Sequence, residues 1–152
     1  MLGRRLRDPA GIEGPAGETA GLGFLACETT LDTEKQLRNV HGRLQIADRA
    51  PITGYEIHMG VTTGVALNRP AVSFDDGRSD GALSEDGQIL GTYCHGLFDQ
   101  PQALAALLAW AGAASIAPVD LPTRREADID RLADAADAAL DWTLLNPLLA
   151  TR

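Results

Sequence analysis

The stretch "ILGTYCHGLFDQ", residues 89 to 100, sets Cys94 directly beside His95, with Gly91 and Gly96 on either side. A thiol and an imidazole are the parts of a nucleophilic site, because histidine titrates near neutral pH and can take the proton that makes a thiolate. Adjacent residues of an extended strand, however, point to opposite faces. If this stretch is a strand, His95 cannot serve Cys94, and Cys94 reads as a small buried apolar residue. His95 then faces the other way, just ahead of Gly96, where the chain must turn and where scaffolds present working residues. The alternative for His95 is a strand-end histidine satisfied by a backbone carbonyl.

A second constellation lies in "GYEIHMG". Glu56 and His58 fall two residues apart and share one strand face, while Tyr55 and Ile57 share the other. Such a pair can act as metal ligands or as a substrate clamp. A third ligand at metal spacing is lacking, since His41 and His95 are remote in sequence and no helical H-x-x-x-H occurs. No metal site is expected, and a buried, hydrogen-bonded Glu–His pair is the plain reading. Cys27, in "FLACETTL", sits in an apolar run with no glycine elbow and nothing nearby to lower its pKa, so it reads as core. The early glycines do not form G-x-x-x-x-G-K-[ST], and ATP chemistry is not encoded in this chain.

The elements that must position these groups follow from periodicity and turn residues. Residues 3–20 carry Pro9, Pro15 and scattered glycines, and read as an irregular surface loop. Residues 21–99 read as mainly strands and turns: a buried strand in "GLGFLACETTL", a strand in "KQLRNVHGRLQI" with an irregularity at His41-Gly42, and a strand at 53–63. A short strand "AVSF" and a strand through "QILGTYCHGLF" complete that region. Residues 100–152 read as mainly helical. Leu104, Leu107, Leu108 and Ala111 recur at helical spacing, with Gly112 as the stop. A terminal helix capped by Thr123, with Glu126 three residues on, carries an apolar stripe of Ile129, Leu132, Ala133, Ala136 and Leu140. The intervening "AGAASIAPVDLP" reads as a connector within one domain.

Bulk properties bound the function. The 152 residues, 45% hydrophobic, suffice for one packed domain. A net charge of −8, from 21 acidic and 13 basic residues, supplies no electrostatic footprint for nucleic acid or an anionic membrane. Two cysteines make no disulfide framework, and no apolar run reaches spanning length, so a cytoplasmic location is expected.

Taken in order, "MLGRRLRDPAGIEG", "GLGFLACETTL", "GYEIHMG", "GTYCHGLFD" and "READIDRLADAADAALDW" resemble the C-terminal glutamine amidotransferase domain of cobyric acid synthases over nearly the whole chain. The resemblance implies a class I amidotransferase fold: an α/β, flavodoxin-like layered domain with a largely parallel central sheet, here partial, with a β-rich middle and two C-terminal helices. It implies a glutamine-dependent amidoligase, a ligase of cobalamin biosynthesis and porphyrin metabolism, which amidates carboxylates of adenosylcobyrinic acid a,c-diamide. Glutamine and the corrinoid are then the substrates. No cofactor is expected on this chain, because ATP and magnesium belong to an amidoligase domain that these residues do not include.

In that scheme a cysteine thiolate attacks the glutamine amide, backbone N–H groups hold the oxyanion, and a histidine shuttles protons. His95 matches the family's catalytic histidine. The family's nucleophile stands in a Gly-x-Cys-Gly-Gly-Tyr-Gln motif that runs straight into "MLGRR", so the nucleophile is expected upstream of Met1 and the isolated chain is expected to be inactive as a glutaminase. Many class I relatives place a glutamate two residues after the histidine, where this chain has Leu97; Glu56 is the substitute weighed for orienting His95. Two other readings stand beside this one: a non-catalytic module that binds a ligand or partner through the histidine-lined surface, and a metal-dependent hydrolase using Glu56, His58 and His95. Sheet edge and core left uncovered by a missing segment would lead to self-association.

Overall fold

The computed structural model describes residues 1–46, 49–113 and 120–149. The chain divides into two compact units, Met1–Pro118 and Val119–Arg152. The division falls in the stretch expected to be an internal connector, of which residues 114–119 lie outside the described residues. The fold is mixed α/β, with a central sheet followed by helices.

Among its described residues the first unit holds nine strands: β1 (Arg5–Asp8), β2 (Gly17–Ala20), β3 (Glu28–Leu44), β4 (Pro51–Thr63), β5 (Val72–Phe74), β6 (Ser79–Asp80), β7 (Ala82–Leu83), β8 (Leu90–Gly91) and β9 (Cys94–His95). The main sheet runs β2-β1-β3-β4-β9, with β5 and β6 continuing from the far end of β3, and β7 and β8 form a separate ribbon. Its centre is the long β3–β4 hairpin, in which Leu37 opposes Ile57, Asn39 opposes Tyr55 and His41 opposes Thr53.

This sheet differs from the largely parallel one expected. Among the described strands only β1 and β3 run parallel. Its other pairs are antiparallel because short reversals join β1 to β2, β3 to β4 and β5 to β6, and a parallel partner needs a long crossover. The supposed opening loop contains β1 and β2, held by a ladder from Arg5↔Ala20 to Asp8↔Gly17. The strand expected from Gly21 begins only at Glu28. Residues 21–27 instead give their backbone groups to the chain start, with Gly21 N–H donating to Arg4 at 2.9 Å and Leu25 N–H to Leu2 at 3.0 Å. Pairing is unbroken through His41 and Gly42; the irregularity lies between Thr30 and Lys35.

One face of the hairpin is the core. Val40, Leu44 and Ile52 pack there with Val72, Phe74, Cys94 and Leu97, and α1 (Pro101–Trp110) covers them through Ala103, Ala106 and Leu107. The helix thus buries a stripe one residue earlier than the leucine stripe expected, since alanines let it approach the sheet closely. Gly112 stops it at φ +82°, as its position suggested. A smaller cluster of Leu25, Cys27 and Ala82 lies nearby, with Leu2 packed against it.

The second unit holds α2 (Leu121–Ala139) and α3 (Trp142–Leu149). Asp120, not Thr123, caps α2: its carboxylate accepts from Thr123 N at 3.0 Å and from the Thr123 hydroxyl at 2.9 Å. The terminal helix also breaks at Leu140, which is extended, because Asp141 starts a new helix by accepting from Thr143 N. Among the described residues, three C-terminal helices therefore stand where two were expected. No helix among the described residues is long and apolar enough to cross a membrane.

Candidate functional site

The strand pairing sorts the singled-out residues onto two faces. Directly opposed residues of an antiparallel pair share a face. Tyr55 opposes His95 and Glu56 opposes Cys94, so the Tyr55 and His95 side chains emerge on one side and those of Glu56 and Cys94 on the other. Cys94 is buried and His95 exposed. Alternation along the strand had predicted that split, and the two cannot form a nucleophile–base pair.

His95 stacks face to face on Tyr55, with ring centroids 4.9 Å apart and planes 6° from parallel. The close strand approach depends on Gly54, where a Cβ would lie 2.0 Å from the His95 carbonyl oxygen. Gly96 then takes φ +84°, a left-handed turn that ends β9 beside the imidazole. Leu97, two residues beyond His95, is only 6% exposed and packs in the core. The surrounding surface is open: Leu37 and Phe98 are exposed, and Tyr55 is 43% exposed.

Glu56 does not reach this surface. Its carboxylate, 4% exposed, accepts from Arg78 Nη1 at 2.7 Å and lies 3.7 Å from Arg38 Nε. The strand register puts it on the opposite face from His95, and so it cannot orient that ring. Arg78 in turn pairs with Asp76 at 2.9 Å. The Glu56 hydrogen bond, followed by the one to Asp76, holds the Arg78 guanidinium in its charged form against the cost of burial. His58, on the Glu56 side, stacks on Tyr93 at 4.5 Å and approaches the Gly60 carbonyl at 3.2 Å. The expected Glu–His pair is thus two separate arrangements. The trio required of a metal-dependent hydrolase is not assembled either, and among the described residues no three His, Cys, Asp or Glu side chains converge as metal ligands.

Residues that spacing did not single out complete the cavity-facing side. The Asp80 carboxylate, 8% exposed, accepts from the Thr92 hydroxyl, from Tyr93 N at 2.8 Å and from Cys94 N at 3.1 Å. It thereby anchors the segment that joins β8 to β9 and holds the residues that lead into His95. The Tyr93 hydroxyl bonds Thr62 at 2.9 Å and Thr29 at 3.3 Å. A cavity of about 810 Å³ opens here, bordered by Arg38, Glu56, His58, Arg78, Asp80 and Tyr93 among others. Arg78 gives Nη1 to Glu56 and Nε to Asp76, while its buried Nη2 has no hydrogen-bond partner. The only sequence signal for Arg78 and Asp80 was the Asp-Asp-Gly turn just before them.

Neither thiol is poised to react. Burial first, then the Asp80 and Glu56 charges, push Cys94 up to about 11. Burial also pushes Cys27 up, against a small opposing effect from Arg4. A thiolate nucleophile needs the reverse: exposure and a depressed pKa.

A family model of the CobB/CobQ-like glutamine amidotransferase domain matches residues 1–103. The chain belongs to that family. The match takes in the whole sheet, including Tyr55, Glu56, His58 and His95, and ends inside α1. A CobB/CobQ-like domain serves an amidotransferase, an enzyme that uses glutamine as its nitrogen source, and α2 and α3 lie beyond the matched residues.

Proposed function

We propose that this chain is part of a cobyric acid synthase and that His95 is the proton-transfer group of its glutaminase site. The supporting observation is the placement of His95: an exposed imidazole at a left-handed strand end, on the face away from both Cys94 and Glu56. With Cys94 and Cys27 buried and shifted upward, the attacking thiol comes from a segment outside these 152 residues.

In this reading the thiol gives its proton to His95 and attacks the glutamine amide carbon. The C–N bond breaks, His95 returns the proton to the departing ammonia, and water then cleaves the thioester to release glutamate. The ammonia goes to carboxylates of adenosylcobyrinic acid a,c-diamide, activated with ATP and magnesium by an amidoligase domain outside this chain. Ammonia release from glutamine tests the proposal in two forms, residues 1–152 alone and a form extended upstream of Met1 through the adjoining codons. The short form is expected to be silent and the extended form active, with His95→Ala lowering the extended form's kcat by about 10²–10⁴-fold. Turnover by the short form defeats the proposal.

The cavity of about 810 Å³ supports a second reading, a non-catalytic ligand-binding module. Sustained inactivity of the extended form would favour it.

A further inference from the structure

Histidine that shuttles protons must present one ring nitrogen to the thiol and then to the leaving nitrogen, so the plane of its ring has to be held. Here the position two residues beyond the histidine is a core leucine, and Glu56 is engaged by Arg78 on the other face. The group that does lie against the imidazole is the phenol ring of Tyr55, 4.9 Å away and within 6° of parallel.

We propose that Tyr55 is a positioning residue for His95, fixing the plane of the imidazole by stacking. This rests on the glutaminase reading of His95. Three features of the fold serve the stack. The register sets Tyr55 directly opposite His95, so the two side chains leave the sheet side by side. Gly54, with no Cβ to meet the His95 carbonyl, lets β4 and β9 close to stacking distance. Asp80 secures Tyr93 and Cys94 by their backbone N–H groups, which leaves the short β9 little freedom to shift against β4. A flat contact fixes tilt while leaving both ring edges open to reactants, unlike a hydrogen bond, which occupies one nitrogen. Tyr55 remains 43% exposed, so the stack lies at the open surface where a thiol and a glutamine side chain can arrive.

The form extended upstream of Met1 supplies the kinetic test, with Tyr55→Leu to remove the aromatic face and Tyr55→Phe to keep it. Tyr55→Leu is expected to lower kcat for ammonia release by about 10- to 100-fold while KM stays within about twofold, because geometry and not glutamine binding is disturbed. Tyr55→Phe is expected to keep kcat within about twofold. In parallel, NMR of residues 1–152 follows the carbon-bound ring protons of His95. They should carry an upfield ring-current shift in the wild type and in Tyr55→Phe, and lose it in Tyr55→Leu, with the remaining spectrum unchanged.

An active wild type whose kcat is unmoved by Tyr55→Leu overturns the proposal. So does a loss confined to KM, a Phe variant as impaired as Leu, or His95 protons without the shift. An extended wild type that releases no ammonia overturns the glutaminase reading itself and the positioning role with it, a result distinct from the variant-specific failures.

Discussion

Cys94 has two carboxylates near it and almost no water, and both conditions oppose thiolate formation. Its folded pKa of about 11 lies above the ordinary 9.0. Between those values the unfolded chain gives up the proton while the folded chain keeps it, so the unfolded state binds fewer protons and stability falls as pH rises. The contribution is whole below pH about 9 and is lost by about 11, at most roughly 3 kcal/mol. Urea midpoints of the wild type and Cys94→Ala, compared at pH 8 and 10.5, should show the steeper alkaline loss in the wild type. Equal losses would mean that the thiol is not responsible. At pH 8 the folded protein should also leave Cys94 unalkylated, which separates it chemically from a nucleophile of the amidotransferase reaction.

Among the elements, the two-residue β9 is secured by a side chain as well as by its pairing with β4. The Asp80 carboxylate accepts from the Tyr93 and Cys94 N–H groups, and removing it takes one acceptor from each, leaving Cys94 N only the Thr92 hydroxyl at 3.0 Å. Asp80→Ala is expected to cost about 2–4 kcal/mol by urea unfolding and to strip hydrogen-exchange protection from those two amides first. Retained protection at Tyr93 and Cys94 would show that another group can hold the strand. β3 and β4 were readable beforehand since their alternation is local. β1 and β2 were not, because proline and glycine nearby resemble loop signals and the pairing partner is revealed only by folding. The edge strand β2 is short and fully exposed, and its Glu18 is paired with Arg5 at 3.1 Å. Charge and brevity both guard this edge against the strand addition that self-association through it would need.

At the scale of the whole molecule, the two hydrophobic clusters among the described residues draw their members from the first unit. The larger runs from Val40 to Leu107, with Trp110 packed against it, and the smaller joins Leu25, Cys27 and Ala82. α2 buries none of its own residues. Residues 119–152 alone should be only partly helical by circular dichroism, because a helix of this length without a packed face is marginal in water.

Strand alternation by itself placed Cys94 and His95 on opposite faces, since a period of two is a property of the local backbone. The same pattern put Glu56 with His58 and Tyr55 with Ile57, and the motifs around them carried the resemblance to an amidotransferase domain. Tertiary structure alone decided which side chains meet. Tyr55 and His95 are forty residues apart, and their stacking depends on the register between β4 and β9. Arg78 captures Glu56 because β5 and β6 fold back along β3, and Asp80 grips the histidine segment for the same reason. Such contacts are fixed by long-range pairing of chain segments, and sequence spacing carries no record of that register.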